Sequence, residues 1–233
     1  MHQTVRMRNT TVDIKGESVP GVIAIPASGS GPAVIVIQEW WGLVPHIHDV
    51  VQHFADEGFV ALGVDHYRGV ETTEPDEAQK LMIGLNIGQV GEDLAAAANA
   101  LLARDEVTSD TVCVVGFCMG GGLALLGPTV SPAIGCVASF YPAMPWPDYA
   151  PDWTKYAGRK AIVHKALSDE EWAGPAITAY AAEIAANGGS VEIFDYPDSV
   201  HAFFNDARPE VYQAGNAEAA WRRTIDFFRA CGA

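Results

Sequence analysis

The chain has 233 residues, enough to bury a sizeable core, and its length predicts one domain over residues 1–233. With 49% hydrophobic and 18% charged residues, its composition excludes a disordered chain. A formal charge of −15, with no basic run, argues against nucleic acid or an anionic membrane surface as a partner.

The first residues, Met1 to Arg6, lack an apolar stretch behind a basic one, so no secretory signal is expected. Residues 3–15 and 19–26 alternate as two strands at a sheet edge. The loop Ala27-Ser28-Gly29-Ser30-Gly31-Pro32 is a turn; a strand follows it, not the helix a phosphate loop needs. Ala33 to Ile37 is a continuous apolar run, as expected of a strand buried on both faces. Residues 46–57 read as a helix, 60–64 as the next buried strand, and about 75–104 as a long helical region.

Thr111 to Val115 is a third buried strand, running into Gly116-Phe117-Cys118-Met119-Gly120-Gly121-Gly122 and then a helix. Strands follow at 134–140, 160–164 and 191–194, with helices at 173–187 and 216–230. Strands alternating with helices predict βαβ units and a mainly parallel central sheet flanked by helices on both faces. In such sheets ligands bind beyond the carboxyl ends of the strands. No apolar window approaches the length of a membrane-spanning helix.

The four cysteines, Cys113, Cys118, Cys136 and Cys231, form neither a CxxC pair nor a disulfide framework. Free thiols without a signal predict a reducing, cytoplasmic location. Cys113 and Cys136 lie inside apolar strands and read as inert core thiols. Cys118 differs, because Gly116-Phe117-Cys118-Met119-Gly120 has the G-x-nucleophile-x-G form of a sharp strand-to-helix elbow. Such a turn exposes the nucleophile above the sheet, and the helix N-terminus behind it favours a thiolate or an oxyanion. The Met119 N–H is then one oxyanion donor.

In α/β-hydrolases the chain order is nucleophile, acid, histidine. Only His164 and His201 follow Cys118. His164 lies within a strand and reads as structural; His201 follows the last strand and is the candidate base. Asp169 follows the strand at 160–164 and is the candidate acid, with Glu170 and Glu171 adjoining it and Asp195 and Asp198 competing. The acid would fix the imidazole tautomer and stabilise the imidazolium. A thiol serving only as an oxidant sensor would need neither Asp169 nor His201. His46, His48 and His53, spaced i, i+2, i+7, do not share one helical face, and no metal site or other cofactor is expected.

These residues resemble the dienelactone hydrolase (carboxymethylenebutenolidase) family, of the α/β-hydrolase fold. The elbow Gly116 to Gly121, the segment Gln38-Glu39-Trp40-Trp41-Gly42, the interval His164 to Asp169 and the segment His201-Ala202-Phe203 match its motifs in order over nearly the whole chain. Asp65-His66-Tyr67-Arg68 resembles its loop after the fourth strand. The resemblance implies a Cys118-Asp169-His201 triad hydrolysing a lactone or small ester. It also implies a resting Cys118 thiol turned towards Glu39, which substrate displaces. Trp40 supplies the second oxyanion N–H, and Trp41, Tyr67 and Arg68 are candidate substrate contacts. Where the best-known members hold a substrate carboxylate with arginines, this chain has Asn205 and Pro75; Arg68 and Arg208 are the nearest substitutes.

Overall fold

The computed structural model describes residues 6–232. Residues 3–5 of the first expected strand lie outside them. The elements are β1 (Arg6–Ile14), β2 (Glu17–Ile25), β3 (Gly31–Ile37), α1 (Pro45–Asp56), β4 (Val60–Val64), α2 (Pro75–Ile83), α3 (Ile87–Leu102), β5 (Val107–Phe117), α4 (Met119–Val130), β6 (Ile134–Phe140), β7 (Lys160–Ala166), α5 (Gly174–Ala186), β8 (Ser190–Tyr196) and α6 (Ala214–Ala230).

One eight-stranded sheet has the order β1-β2-β4-β3-β5-β6-β7-β8. β1 pairs antiparallel with β2, and β2 with β4; every later pairing is parallel. This is the α/β-hydrolase fold. The apolar runs become the central strands because helices cover both faces there: Ala33 to Ile37 and Val112 to Val115 are buried along their length. On one face Phe54 of α1 packs against Trp221 and Phe228 of α6. On the other α3 and α4 pack together against β5 and its neighbours. Among the described residues no helix is long and apolar enough to cross a membrane.

Most elements shift by one to three residues from their expected bounds, and two places depart further. The long helical stretch splits after Ile83, and α3 starts afresh behind Asn86, whose side chain accepts from the Gln89 N–H at 3.1 Å. β5 begins at Val107, which pairs with Gly31 of β3 before a register shift brings Val112 opposite Ala33.

His164, buried inside β7, is structural. Its Nδ1 lies 3.0 Å from the Tyr196 hydroxyl and its Nε2 3.0 Å from Thr224 Oγ1. The Thr224 hydroxyl donates to the Ala220 carbonyl, so Nε2 carries the ring proton and Nδ1 accepts from Tyr196. Burial, with the Arg223 charge adding to it, pushes this imidazole down to about 3.

Candidate active site

Every strand from β3 to β8 delivers a residue beyond its carboxyl end: Glu39 after β3, Tyr67 after β4, Cys118 after β5, Tyr141 after β6, Asp169 after β7 and His201 after β8. They converge where parallel sheets bind ligands.

Cys118 sits at φ 55° and ψ −119°, a conformation that L-residues adopt only under constraint. The surroundings pin it there. Its N–H donates to the Phe140 carbonyl at 3.0 Å, and its carbonyl accepts from Gly121, Gly122 and Ala143 at 2.9, 3.2 and 2.9 Å. The turn also needs its glycines: a Cβ on Gly116 would strike the Gly120 carbonyl, and one on Gly120 would lie 2.5 Å from the Ile37 carbonyl oxygen. Among the described residues neither the Trp40 nor the Met119 N–H donates to a backbone carbonyl, so both remain free at the head of the site.

His201 Nδ1 lies 2.8 Å from Asp169 Oδ2. A carboxylate accepts only, so Nδ1 carries the proton and Nε2 is left for another partner. Ser168 locks the pair: its hydroxyl donates to Asp169 Oδ1 at 3.0 Å and accepts the His201 backbone N–H at 2.9 Å. The ring lies between Tyr141 and Trp172, with centroids 5.1 and 5.3 Å away. Burial works against a charged imidazole here. The negative charge of Cys118 and the hydrogen bond and charge of Asp169 outweigh it, raising His201 to about 10.

Of the competing acids, Asp169 alone is buried against His201; Glu170 and Asp195 pair with Lys165, while Glu171 and Asp198 are exposed.

The Glu39 carboxylate is buried, and neutral donors hold both of its oxygens. Tyr141 donates at 3.2 Å and the Asn205 amide at 2.8 Å. Asn205 is itself oriented, because its carbonyl oxygen accepts from the Ala207 N–H at 3.1 Å. Burial keeps the Tyr141 hydroxyl well above its ordinary pKa, and the charges of Glu39 and Cys118 add to this, so it stays a donor. Glu39 is therefore hydrogen-bonded to Tyr141 and Asn205, while Cys118 lies near enough to His201 to raise its pKa. The resemblance instead implies a resting thiol turned to Glu39. Tyr141, Ser168 and Asn205 were not expected as site residues. The single available signal was Asn205 standing in an arginine position.

The Trp40 and Trp41 rings meet edge to face at 4.9 Å. Trp41 walls a groove of about 510 Å³, with Val44, Pro45, Thr73, Ala207 and Arg208 among its other walls. The Arg208 guanidinium lies 5.9 Å above the Trp41 ring. Tyr67 is buried, its hydroxyl 3.0 Å from Met119 Sδ.

The guanidinium of Arg68, the other candidate substrate contact on this loop, grips Asp93 of α3 through two hydrogen bonds of 2.6 and 2.9 Å and Glu17 through a third of 3.1 Å. Burial alone would raise the Asp93 carboxyl. His66, whose Nδ1 lies 3.7 Å from Asp93 Oδ2, and the hydrogen bonds from Arg68 and Gln89 outweigh it and hold Asp93 below the usual carboxylate range. The Arg68 cation is thus paired with the Asp93 and Glu17 carboxylates.

A sequence profile described as the Dienelactone hydrolase family matches residues 19–232. Protein usf of Aquifex pyrophilus is 33% identical over 225 residues, covering 92% of this chain and 94% of that protein. A dienelactone hydrolase-like promiscuous phosphotriesterase from metagenomic libraries superposes with a TM-score of 0.87 at 20% identity, covering 98% of this chain and 99% of its own. A thermophilic carboxylesterase cloned from a metagenomic library superposes at 0.72 and 16% identity, covering 98% and 90%. These last two likenesses concern the fold.

Proposed function

The chain belongs to the dienelactone hydrolase family and is a hydrolase, and on that premise we propose that it is a carboxylic ester hydrolase that opens a lactone or small ester with Cys118 as nucleophile. The observation that carries the reading is the 2.8 Å Asp169–His201 hydrogen bond set beside a cysteine at positive φ on a strand-to-helix elbow.

In this reading His201 takes the thiol proton on Nε2 and holds it as an imidazolium stabilised by Asp169. The Cys118 sulfur attacks the ester carbonyl, and the free N–H groups of Trp40 and Met119 receive the oxyanion. The carbon–oxygen bond to the leaving group breaks, His201 returns the proton to that oxygen, and a thioester remains on Cys118. Water then attacks the thioester with His201 as base, releasing the acid and restoring the thiol.

The substrate is a small ester or lactone whose body lies along the Trp41 groove. The donors on Glu39 are neutral, in Asn205 and Tyr141, so the site offers no buried cation there for a substrate carboxylate. This favours an ester other than dienelactone. The test is turnover of p-nitrophenyl acetate beside cis- and trans-dienelactone, with wild type and Cys118→Ala in parallel. Turnover that disappears in the variant supports the reading. Equal inertness of both proteins on every ester overturns it.

A further inference from the structure

We propose that the Tyr67 hydroxyl is a third donor to the carbonyl oxygen attacked by Cys118, beside the N–H groups of Trp40 and Met119. The inference rests on the ester-hydrolysis reading above and assigns a further catalytic group to it.

Sheet order supplies the first argument. β3 lies between β4 and β5, so the loop after β3, with Trp40, is flanked by the loop after β4 and by the elbow. Tyr67 comes from the β4 side and Met119 from the elbow, yet the Tyr67 hydroxyl reaches Met119 Sδ at 3.0 Å. The phenol therefore spans the head of β3, the ground on which the other two donors stand.

The chemistry of that contact supplies the second. A buried tyrosine normally places its hydroxyl on an oxygen or nitrogen acceptor. Here the acceptor is a thioether, which is weak. Exchanging it for a developing oxyanion, a charged acceptor, is strongly favourable. The hydroxyl remains protonated, because burial and the neighbouring charges of Cys118 and Asp65 raise its pKa.

The third argument is rigidity. The Asp65 carboxylate, itself buried, accepts the Tyr67 backbone N–H at 2.8 Å. One residue on, Arg68 fastens the loop to α3 through its paired hydrogen bonds to Asp93. The ring is held before substrate arrives, as electrostatic preorganisation requires. As the sulfur–carbon bond forms, the carbonyl π pair moves onto oxygen and the phenol proton turns from sulfur to that oxygen. No proton is transferred, and the hydroxyl returns to Met119 when the carbonyl reforms.

The test is Tyr67→Phe, which keeps the ring and its packing. Two rates are measured: acylation by p-nitrophenyl acetate in the pre-steady state, and alkylation of Cys118 by iodoacetamide, which needs the thiolate and no oxyanion site. Loss of one oxyanion donor lowers the acylation rate by about 10²-fold, with KM nearly unchanged and alkylation at the wild-type rate. Acylation at the wild-type rate overturns the inference. So does a parallel fall of both rates, which would place Tyr67 on the thiol or on the fold. The ester-hydrolysis reading fails separately, if wild type is alkylated but turns over no ester.

Discussion

The Asn205 amide donates a 2.8 Å hydrogen bond to Glu39 across 166 positions of sequence. With Tyr141 on the other oxygen, a carboxylate buried at the head of the site is satisfied entirely by neutral groups. Removing either donor leaves a buried acceptor unmet, which costs more than the net worth of the bond.

Asn205→Leu should therefore destabilise the fold by about 1–3 kcal/mol. Asn205→Asp should do worse, because it sets a second carboxylate against the first. Urea denaturation midpoints at constant slope check both. A leucine variant as stable as wild type would mean that Glu39 finds another donor.

Asp169→Asn keeps the size of the side chain and removes its charge. The amide then competes to donate to His201 Nδ1 and favours the wrong tautomer. Ester turnover should fall by about 10²- to 10⁴-fold with little change in stability. Alkylation of Cys118 near pH 7 should slow as well, since the imidazolium loses its counter-charge. Steady-state kinetics and an iodoacetamide time course measure the two effects.

Gly120→Ala places a Cβ 2.5 Å from the Ile37 carbonyl oxygen, a backbone atom of the central sheet that cannot swing aside. We expect a loss of about 1–3 kcal/mol and an esterase rate reduced further than stability alone explains, because the elbow must shift. Thermal melting read beside activity separates the two.

His164 predicts an acid limb in stability. In the native state burial holds it neutral down to about 3, while the unfolded side chain titrates near its ordinary value of 6.5. Between these values the unfolded chain binds a proton that the native one does not. The contribution is fully present above pH 6.5 and is lost as pH falls towards 3, by about 1.4 kcal/mol per unit. His164→Gln should be less stable than wild type at pH 8, with a flatter decline between pH 6.5 and 5. Denaturant titrations at several pH values test this; parallel declines would show that other groups set the limb.

The central strands were legible because burial on both faces leaves an unbroken apolar run, as at 60–64 and 134–140, where the expected bounds are the observed ones. β5 was read short because its polar first half carries no such mark. Cys118, Glu39, Asp169 and His201 were legible as candidates because each follows a strand, and topology gathers strand ends at one place. Tyr141 and Asn205 left no comparable mark. Their importance is a hydrogen bond to Glu39, 102 and 166 positions away, and nothing local encodes a distant acceptor. The ion pair of Arg68 left no mark for the same reason. Its partner Asp93 stands on α3, and the register of that helix against the loop is a tertiary fact.

The order in which the site is supplied has a consequence for biosynthesis. Its residues arrive one strand at a time, and the last, His201 and Asn205, arrive after β8, near the C-terminus. A ribosome-bound chain can align β3 to β7 and still lack the proposed base and the partner of Glu39. On the proposed triad, catalytic competence then waits for the terminal segment to dock, and partly synthesised chains carry Cys118 as an unarmed thiol.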